Sequence, residues 1–261
     1  MLKRVIIPFV VSLAFASTGV AAEDQELAAL FAQQNVKGAI VISSLRSGET
    51  FIHNEPRARQ RFTVASTFKI LNALIALEEK VISSKDDVFR WDGHLYSIPD
   101  WNRDQTLESA FKVSCVWCFQ QLARKVGVER YRNYLVRCGY GELHGPFPET
   151  TFWLDGSLQI SATEQVDFLK KIYQRSLPFS APAYETLGQI MIVERTPAFT
   201  LRAKTGLAGN SQPQVGWYVG YVETSKDIWF FATNLEIRDD NELPLRQKVT
   251  REALEAKGVF K

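Results

Sequence analysis

Ser66-Thr67-Phe68-Lys69-Ile70-Leu71-Asn72-Ala73-Leu74-Ile75-Ala76-Leu77-Glu78-Glu79-Lys80 is the stretch on which the reading of this 261-residue chain turns. Phe68, Ile70, Leu71, Leu74, Ile75 and Leu77 recur at helical spacing with bulk on both flanks, which predicts a buried central helix over residues 67–80. Ser66 stands at its start and Lys69 three positions on. Residues i and i+3 share a helix face, so the amine can reach the hydroxyl. Backbone N–H groups at a helix start also suit a developing oxyanion. Alone the pair is weak evidence, because serine is a common N-cap and S-x-x-K arises by chance.

Working outward, residues 38–53 read as a hairpin, with strands at Gly38–Ser44 and Glu49–His53 around a Ser47-Gly48 turn. Near the other end, Phe199–Ala203, Val215–Glu223 and Ile228–Ile237 alternate as strands, and Leu245–Lys257 closes the chain as a helix. Between them lie a helix at Leu107–Val126, another at Val128–Cys138, and a long surface loop from Gly139 to Gly156. Ser161-Ala162-Thr163-Glu164 is a capping box opening a helix to Tyr173, and a further helix covers Ala183–Ile192. The expected fold is α+β: an antiparallel sheet flanked by helices and built from both termini, with an inserted helical lobe. The α/β lobe would take about 23–65 and 161–261, the helical lobe about 66–160. A cleft between the lobes is where a small-molecule site belongs.

Apolar residues are 46% and charged residues 23%, as in ordinary globular domains, so a disordered or collagen-like chain is excluded. Residues 1–22 read as a secretory signal peptide. Lys3 and Arg4 precede an apolar run, and Val20 and Ala22 occupy the −3 and −1 positions of a cleavage site before Glu23. Ser12, Ser17, Thr18 and Gly19 shorten that run below the roughly 20 residues a membrane span needs. Cleavage would leave 29 basic against 29 acidic residues, which with no basic run predicts no nucleic-acid or membrane partner, and the cleavable leader predicts a periplasmic location. His53, His94 and His144 are far apart and lack ligand spacing, so no metal is expected. Cys115, Cys118 and Cys138 allow one disulfide with one thiol left over, in any of three pairings. A thioredoxin-like role for Cys115-Val116-Trp117-Cys118 is disfavoured because the motif falls inside a predicted helix, away from a helix N-terminus. Core cysteines are the reading adopted.

Two further motifs give the Ser66 and Lys69 pair its weight. Ser114-Cys115-Val116 falls in the helical lobe, and Lys204-Thr205-Gly206 ends a predicted strand that could wall the cleft. Together with Tyr140-Gly141, Phe152-Trp153-Leu154-Asp155-Gly156 and Leu243-Pro244-Leu245-Arg246, this ordered set resembles the class D serine β-lactamases, the oxacillinase group. The resemblance runs over essentially the whole chain after residue 22. It implies the fold shared by serine β-lactamases and penicillin-binding transpeptidases, and hydrolysis of penicillins and oxacillin-type substrates.

Carried over residue by residue, the resemblance implies that Ser66 is the acylated nucleophile and Lys69 its general base, carboxylated by CO2. A lysine buried beside Phe68 and Trp153 would have its ammonium form disfavoured, and only a neutral amine attacks CO2. Trp153 would hydrogen-bond the carbamate, and Val116 and Leu154 would border it. Ser114 would relay a proton to the lactam nitrogen. Lys204 and Thr205, with Gly206 and Arg246, would hold the substrate carboxylate, and the N–H groups of Ser66 and Leu207 would form the oxyanion hole. No other cofactor is implied, and monomer and homodimer are both compatible. One position departs from the family's usual Tyr-Gly-Asn: this chain has Tyr140-Gly141-Glu142, a carboxylate in place of an amide, which puts loop anchoring and substrate range in question. A penicillin sensor that keeps its acyl group, or a peptidase acting on cell-wall peptides, would share the same site.

Overall fold

The computed structural model describes residues 23–260, so the expected leader lies outside the described residues. In chain order the helices are α1 (Gln25–Gln33), α2 (Glu55–Arg59), α3 (Lys69–Glu78), α4 (Leu107–Lys112), α5 (Val116–Val126), α6 (Val128–Cys138), α7 (Ala162–Tyr173), α8 (Ala181–Ile190) and α9 (Leu245–Ala256). The strands are β1 (Gly38–Ser44), β2 (Thr50–His53), β3 (Phe62–Thr63), β4 (Val88–Phe89), β5 (Gln105–Thr106), β6 (Glu142–Leu143), β7 (Leu158–Ile160), β8 (Ile192–Arg195), β9 (Phe199–Ala208), β10 (Gln214–Thr224) and β11 (Ile228–Ile237).

Six strands make one antiparallel sheet in the order β2-β1-β11-β10-β9-β8. Gly38 pairs with Leu235 and Ser44 with Trp229, so the N-terminal hairpin joins the C-terminal strands as expected. On one face α1 and α9 cover the sheet through Leu27, Phe31, Val249, Ala253 and Leu254. The opposite face packs on α7 and the helical layer. Strand β10, covered on both sides, is buried from Val215 to Val222 and reads as an unbroken apolar run. Helix α3 buries eight of its ten residues, so apolar side chains are favoured all round it. Ile70, Leu71, Leu74 and Ile75 are fully buried, each contributing roughly 1.5–3 kcal/mol.

Several elements differ from the sequence expectation, each for a local reason. The helix expected over Leu107–Val126 breaks into α4 and α5 at Ser114, whose φ is +55°. The Cys115 N–H returns to the Ala110 carbonyl (2.9 Å) and the Ser114 N–H to Phe111 (3.3 Å), the two bonds of a Schellman ending. That ending usually takes glycine, which is why a serine there gave no signal. The break puts Cys115 at the N-cap of α5 and lets it join Cys118 in a disulfide, so these two are not free core cysteines. Both are fully buried, and Cys138 alone stays a buried thiol, pushed up to about 11 by burial.

The segment Gly139–Gly156 is a surface loop only in part: Glu142, His144, Gly145, Pro146 and Pro148 are exposed, but the segment contains β6 and sends aromatic side chains into the core. Its Phe147, Phe152 and Trp153 are buried, and Phe152 packs edge-on to Phe68 at 5.0 Å. Gly141 is held at φ +60°, and a Cβ there would stand 2.2 Å from the Gln159 carbonyl oxygen. Strand β9 runs on to Ala208, so Lys204, Thr205 and Gly206 lie within it, opposite Val219, Tyr218 and Trp217. The helix expected to Ile192 ends at Ile190 as α8, and the next residues form the edge strand β8.

Candidate active site

Ser66 does not cap an α-helix; it lies in a 3-10 turn, Ala65–Phe68, that runs directly into α3. The turn is pinned by Thr67, whose hydroxyl donates to the Val64 carbonyl (2.6 Å) and accepts from the Gln165 amide of α7 (2.8 Å). The expected i, i+3 meeting is present all the same, with Lys69 Nζ 2.8 Å from Ser66 Oγ. The two differ in exposure: Ser66 is half-buried and Lys69 is 0% exposed. Burial brings the Lys69 amine down to about 7. No carboxylate among the described residues pairs with it, and Nζ lies 5.2 Å from the ring centroid of Phe119 in α5.

Trp153 is fully buried and stacks on Phe68 at 5.7 Å, next in the chain to Lys69. Its indole N–H has no hydrogen-bond acceptor. A buried donor left so costs about 1–3 kcal/mol, which a folded protein tolerates where the donor has a use. Leu154, half-buried, packs against the same core, and Val116 is half-buried in the first turn of α5.

Lys204 crosses from β9 to hydrogen-bond the Ser114 hydroxyl, and also donates to the Thr205 carbonyl at 2.9 Å. The Lys204 amine is held well below its ordinary range, first by burial and then by the charges of Lys69 and Arg246. Ser114 is the residue with left-handed backbone between α4 and α5. Arg246, in the first turn of α9, donates from Nη1 to the Gly206 carbonyl (2.7 Å) and from Nε to the Leu243 carbonyl (2.8 Å). This uses two of the five N–H donors of a guanidinium. Burial lowers Arg246 to about 10, so it stays charged at neutral pH. The Leu207 side chain packs towards the α1 and α9 layer, which leaves only its backbone to serve a cleft on the other face. A cavity of about 490 Å³ adjoins Lys204, Thr205 and Phe111, but Ser66 does not line it.

Sequence reasoning missed three contributors. Phe119 carries no motif and reaches Lys69 only through the packing of α5 on α3. Gly216 on β10 leaves the space through which Arg246 passes, since a Cβ there would be 2.7 Å from Arg246 Cδ. Arg61 answers the departure at position 142: it pairs with Glu142 and forks onto Glu164 (Nη2–Oε1 2.6 Å). The carboxylate that replaces the family's amide is thus held in an exposed ion-pair cluster between β6, the start of β3 and α7.

No helix of the described residues is long and apolar enough to cross a membrane. Residues 34–255 match the penicillin binding protein transpeptidase domain. The chain is 38% identical over 238 residues to β-lactamase OXA-48 of Klebsiella pneumoniae, covering 91% of this chain and 90% of that protein. It also matches the regulatory protein BlaR1 of Bacillus licheniformis at 34% identity, over 93% of this chain but only 40% of that one. The solved structure of FUS-1 (OXA-85), a class D β-lactamase from Fusobacterium nucleatum subsp. polymorphum, superposes with a TM-score of 0.89 at 37% identity, covering 92% of this chain and all of the other. With the fold, the motif order and these relatives in agreement, the chain belongs to the class D β-lactamases.

Proposed function

We propose that this enzyme hydrolyses penicillins and oxacillin-type β-lactams through an acyl-enzyme on Ser66, acting as a resistance enzyme in the periplasm after loss of residues 1–22. The observation that carries the reading is the fully buried Lys69 amine, lowered to about 7, at 2.8 Å from the Ser66 hydroxyl. An amine in that state can accept a proton at neutral pH, which an ordinary lysine cannot.

Ser66 Oγ attacks the lactam carbonyl and gives its proton to the base at Lys69. The oxyanion is received by the backbone N–H groups of Ser66 and Leu207. As the C–N bond breaks, Ser114 passes a proton to the leaving nitrogen and is recharged, by way of Lys204, with the proton taken from Ser66, which restores the base at Lys69. Lys204, Thr205 and Arg246 hold the substrate carboxylate, the guanidinium by a two-pronged bond. Val116 and Leu154 govern the approach of water, which then attacks the ester while the restored base at Lys69 takes its proton and returns it to Ser66 Oγ as the acyl C–O bond breaks.

The surroundings of Lys69 fit a carbamate. The amine is neutral in part at pH 7, the Phe119 ring lies 5.2 Å from it, and the N–H of Trp153, which stacks on Phe68, awaits an acceptor. A CO2-derived carbamate would supply an oxygen base for both halves of the reaction.

Intact-protein mass spectrometry during and after exposure to benzylpenicillin tests the reading. An adduct that disappears as many equivalents are hydrolysed is expected. A stoichiometric adduct that persists after one turnover would replace the hydrolase with a penicillin sensor, a reading kept in view by the match to a regulatory protein.

A further inference from the structure

We propose that the Cys115–Cys118 disulfide is a positioning element for Ser114, holding that serine in the left-handed backbone conformation from which its hydroxyl meets Lys204. The inference rests on the reading of Ser114 as proton relay.

Ser114 sits at φ +55°, a region that a residue with a Cβ enters only when its surroundings insist. The two Schellman bonds fix the direction in which α4 ends, but they close as well on other residues. What is particular to this chain lies on both sides of the serine. Before it, the Trp101 indole N–H holds the Val113 carbonyl at 2.9 Å. Trp101 is held in turn by the Trp117 indole N–H, which donates to its carbonyl at 3.0 Å. After it, Cys115 forms the N-cap of α5 without any side-chain capping bond, and is instead tied through sulfur to Cys118 in the first turn of the same helix. Val113 and Cys115 are therefore both anchored, and Ser114 has little room to relax towards an ordinary conformation.

The C-x-x-C spacing at a helix N-terminus is also the arrangement of a thiol-exchange catalyst. Here both cysteines are 0% exposed, so a partner's thiolate has no line of approach, and a fixed structural tie is the use left to them.

The test compares kcat/KM for benzylpenicillin and a chromogenic cephalosporin among wild type, Ser114→Ala, the double variant Cys115→Ala with Cys118→Ala, and the three substitutions combined. Thiol alkylation under denaturing conditions is followed by mass. Wild type should take one alkyl group without reductant, at Cys138, and three after reduction. The double variant should lose on the order of 10- to 100-fold in kcat/KM, the penalty of a displaced catalytic group, with its circular dichroism unchanged. The combined variant should be no worse than Ser114→Ala, because the tie acts only through that serine. If the double variant does not fold, wild type reduced with a phosphine and kept reduced should show the same loss. The inference is overturned if the double variant, or the reduced enzyme, stays within twofold of wild type while Ser114→Ala is impaired. Additive losses in the combined variant, or three alkylations without reductant, overturn it equally. Full turnover by Ser114→Ala would instead strike the relay reading itself, and this inference with it.

Discussion

Arg246 bonds the carbonyl oxygen of Gly206 through Nη1 at 2.7 Å, fastening the first turn of α9 to the β9 strand that also carries Lys204. On the proposed reading, the guanidinium meets the substrate carboxylate from this position. Arg246→Ala should raise KM for benzylpenicillin by about 10- to 100-fold with a smaller change in kcat, the loss of a charge-assisted bidentate bond. Lysine at this position should recover only part of the loss, because it lacks the fork. A KM unchanged in the alanine variant would remove Arg246 from substrate binding.

Gly216 shares that role by omission. In Gly216→Ala the new methyl would press on Arg246 Cδ and on Ile237 Cγ1, which stand 2.7 and 2.6 Å from a Cβ there. Overpacking of this kind costs roughly 1–3 kcal/mol. Thermal melts should show that loss, and the KM should move in the same direction as in Arg246→Ala. Combined with Arg246→Ala, the glycine substitution should add little to KM; a fully additive effect would mean that the two residues act separately.

The burial of Lys69 bears on stability with a definite sign. Its folded value of about 7 lies below the ordinary 10.5, so between those two pH values the unfolded chain binds more protons than the folded one. Wild-type stability attributable to this group therefore rises from about pH 7 to pH 10.5. In CO2-free buffer, Lys69→Met should melt higher than wild type at pH 7, with the gap closing as pH approaches 10.5. Deacylation should be lost in the same variant, leaving a lasting adduct in the mass spectrum. A gap that widens with pH, or normal turnover by the variant, would contradict the assignment.

Carboxylation predicts a dependence on dissolved CO2. Enzyme stripped of CO2 should regain activity on adding bicarbonate, and should lose it as pH falls through about 7, where the amine becomes protonated. Steady-state assays with and without bicarbonate at pH 6, 7 and 8 give the answer. Equal rates in both buffers throughout would argue that the unmodified amine is the base.

Glu142→Asn restores the residue usual in the family. The exposed pair with Arg61 and the long contact to His144 (3.9 Å) are broken, and exposed pairs contribute about 0–1 kcal/mol each. Melting should shift by no more than that, and kcat/KM should stay within about twofold on this estimate. A larger kinetic change would show that the ion-pair cluster is coupled to the site.

How much of this was legible beforehand differs from element to element. Helix α6 and the Ser161 capping box fall where they were expected, because apolar spacing and capping chemistry are local signals. The meeting of Ser66 with Lys69 is local too, and survives even though the turn between them is 3-10 rather than α. The break at Ser114 was hidden because helix propensity around it is continuous and the residue at the bend is not glycine. The burial of Phe152 was hidden for a different reason: a segment with turn residues reads as solvent-exposed until the aromatic partners that receive it, Phe68 and Tyr131, are known to stand nearby. Helix α1, strand β8 and the passage of Arg246 beside Gly216 depend on contacts distant in the chain and carry no local mark.

The sheet joins Gly38 to Leu235, and the ends are tied again where Lys257 meets Asp24 at 2.7 Å. A chain emerging from the ribosome therefore cannot complete its central sheet until almost its last residues have been made. Long-range pairing of this kind delays folding. Synthesis itself thus supplies an interval in which the polypeptide is still without its central sheet.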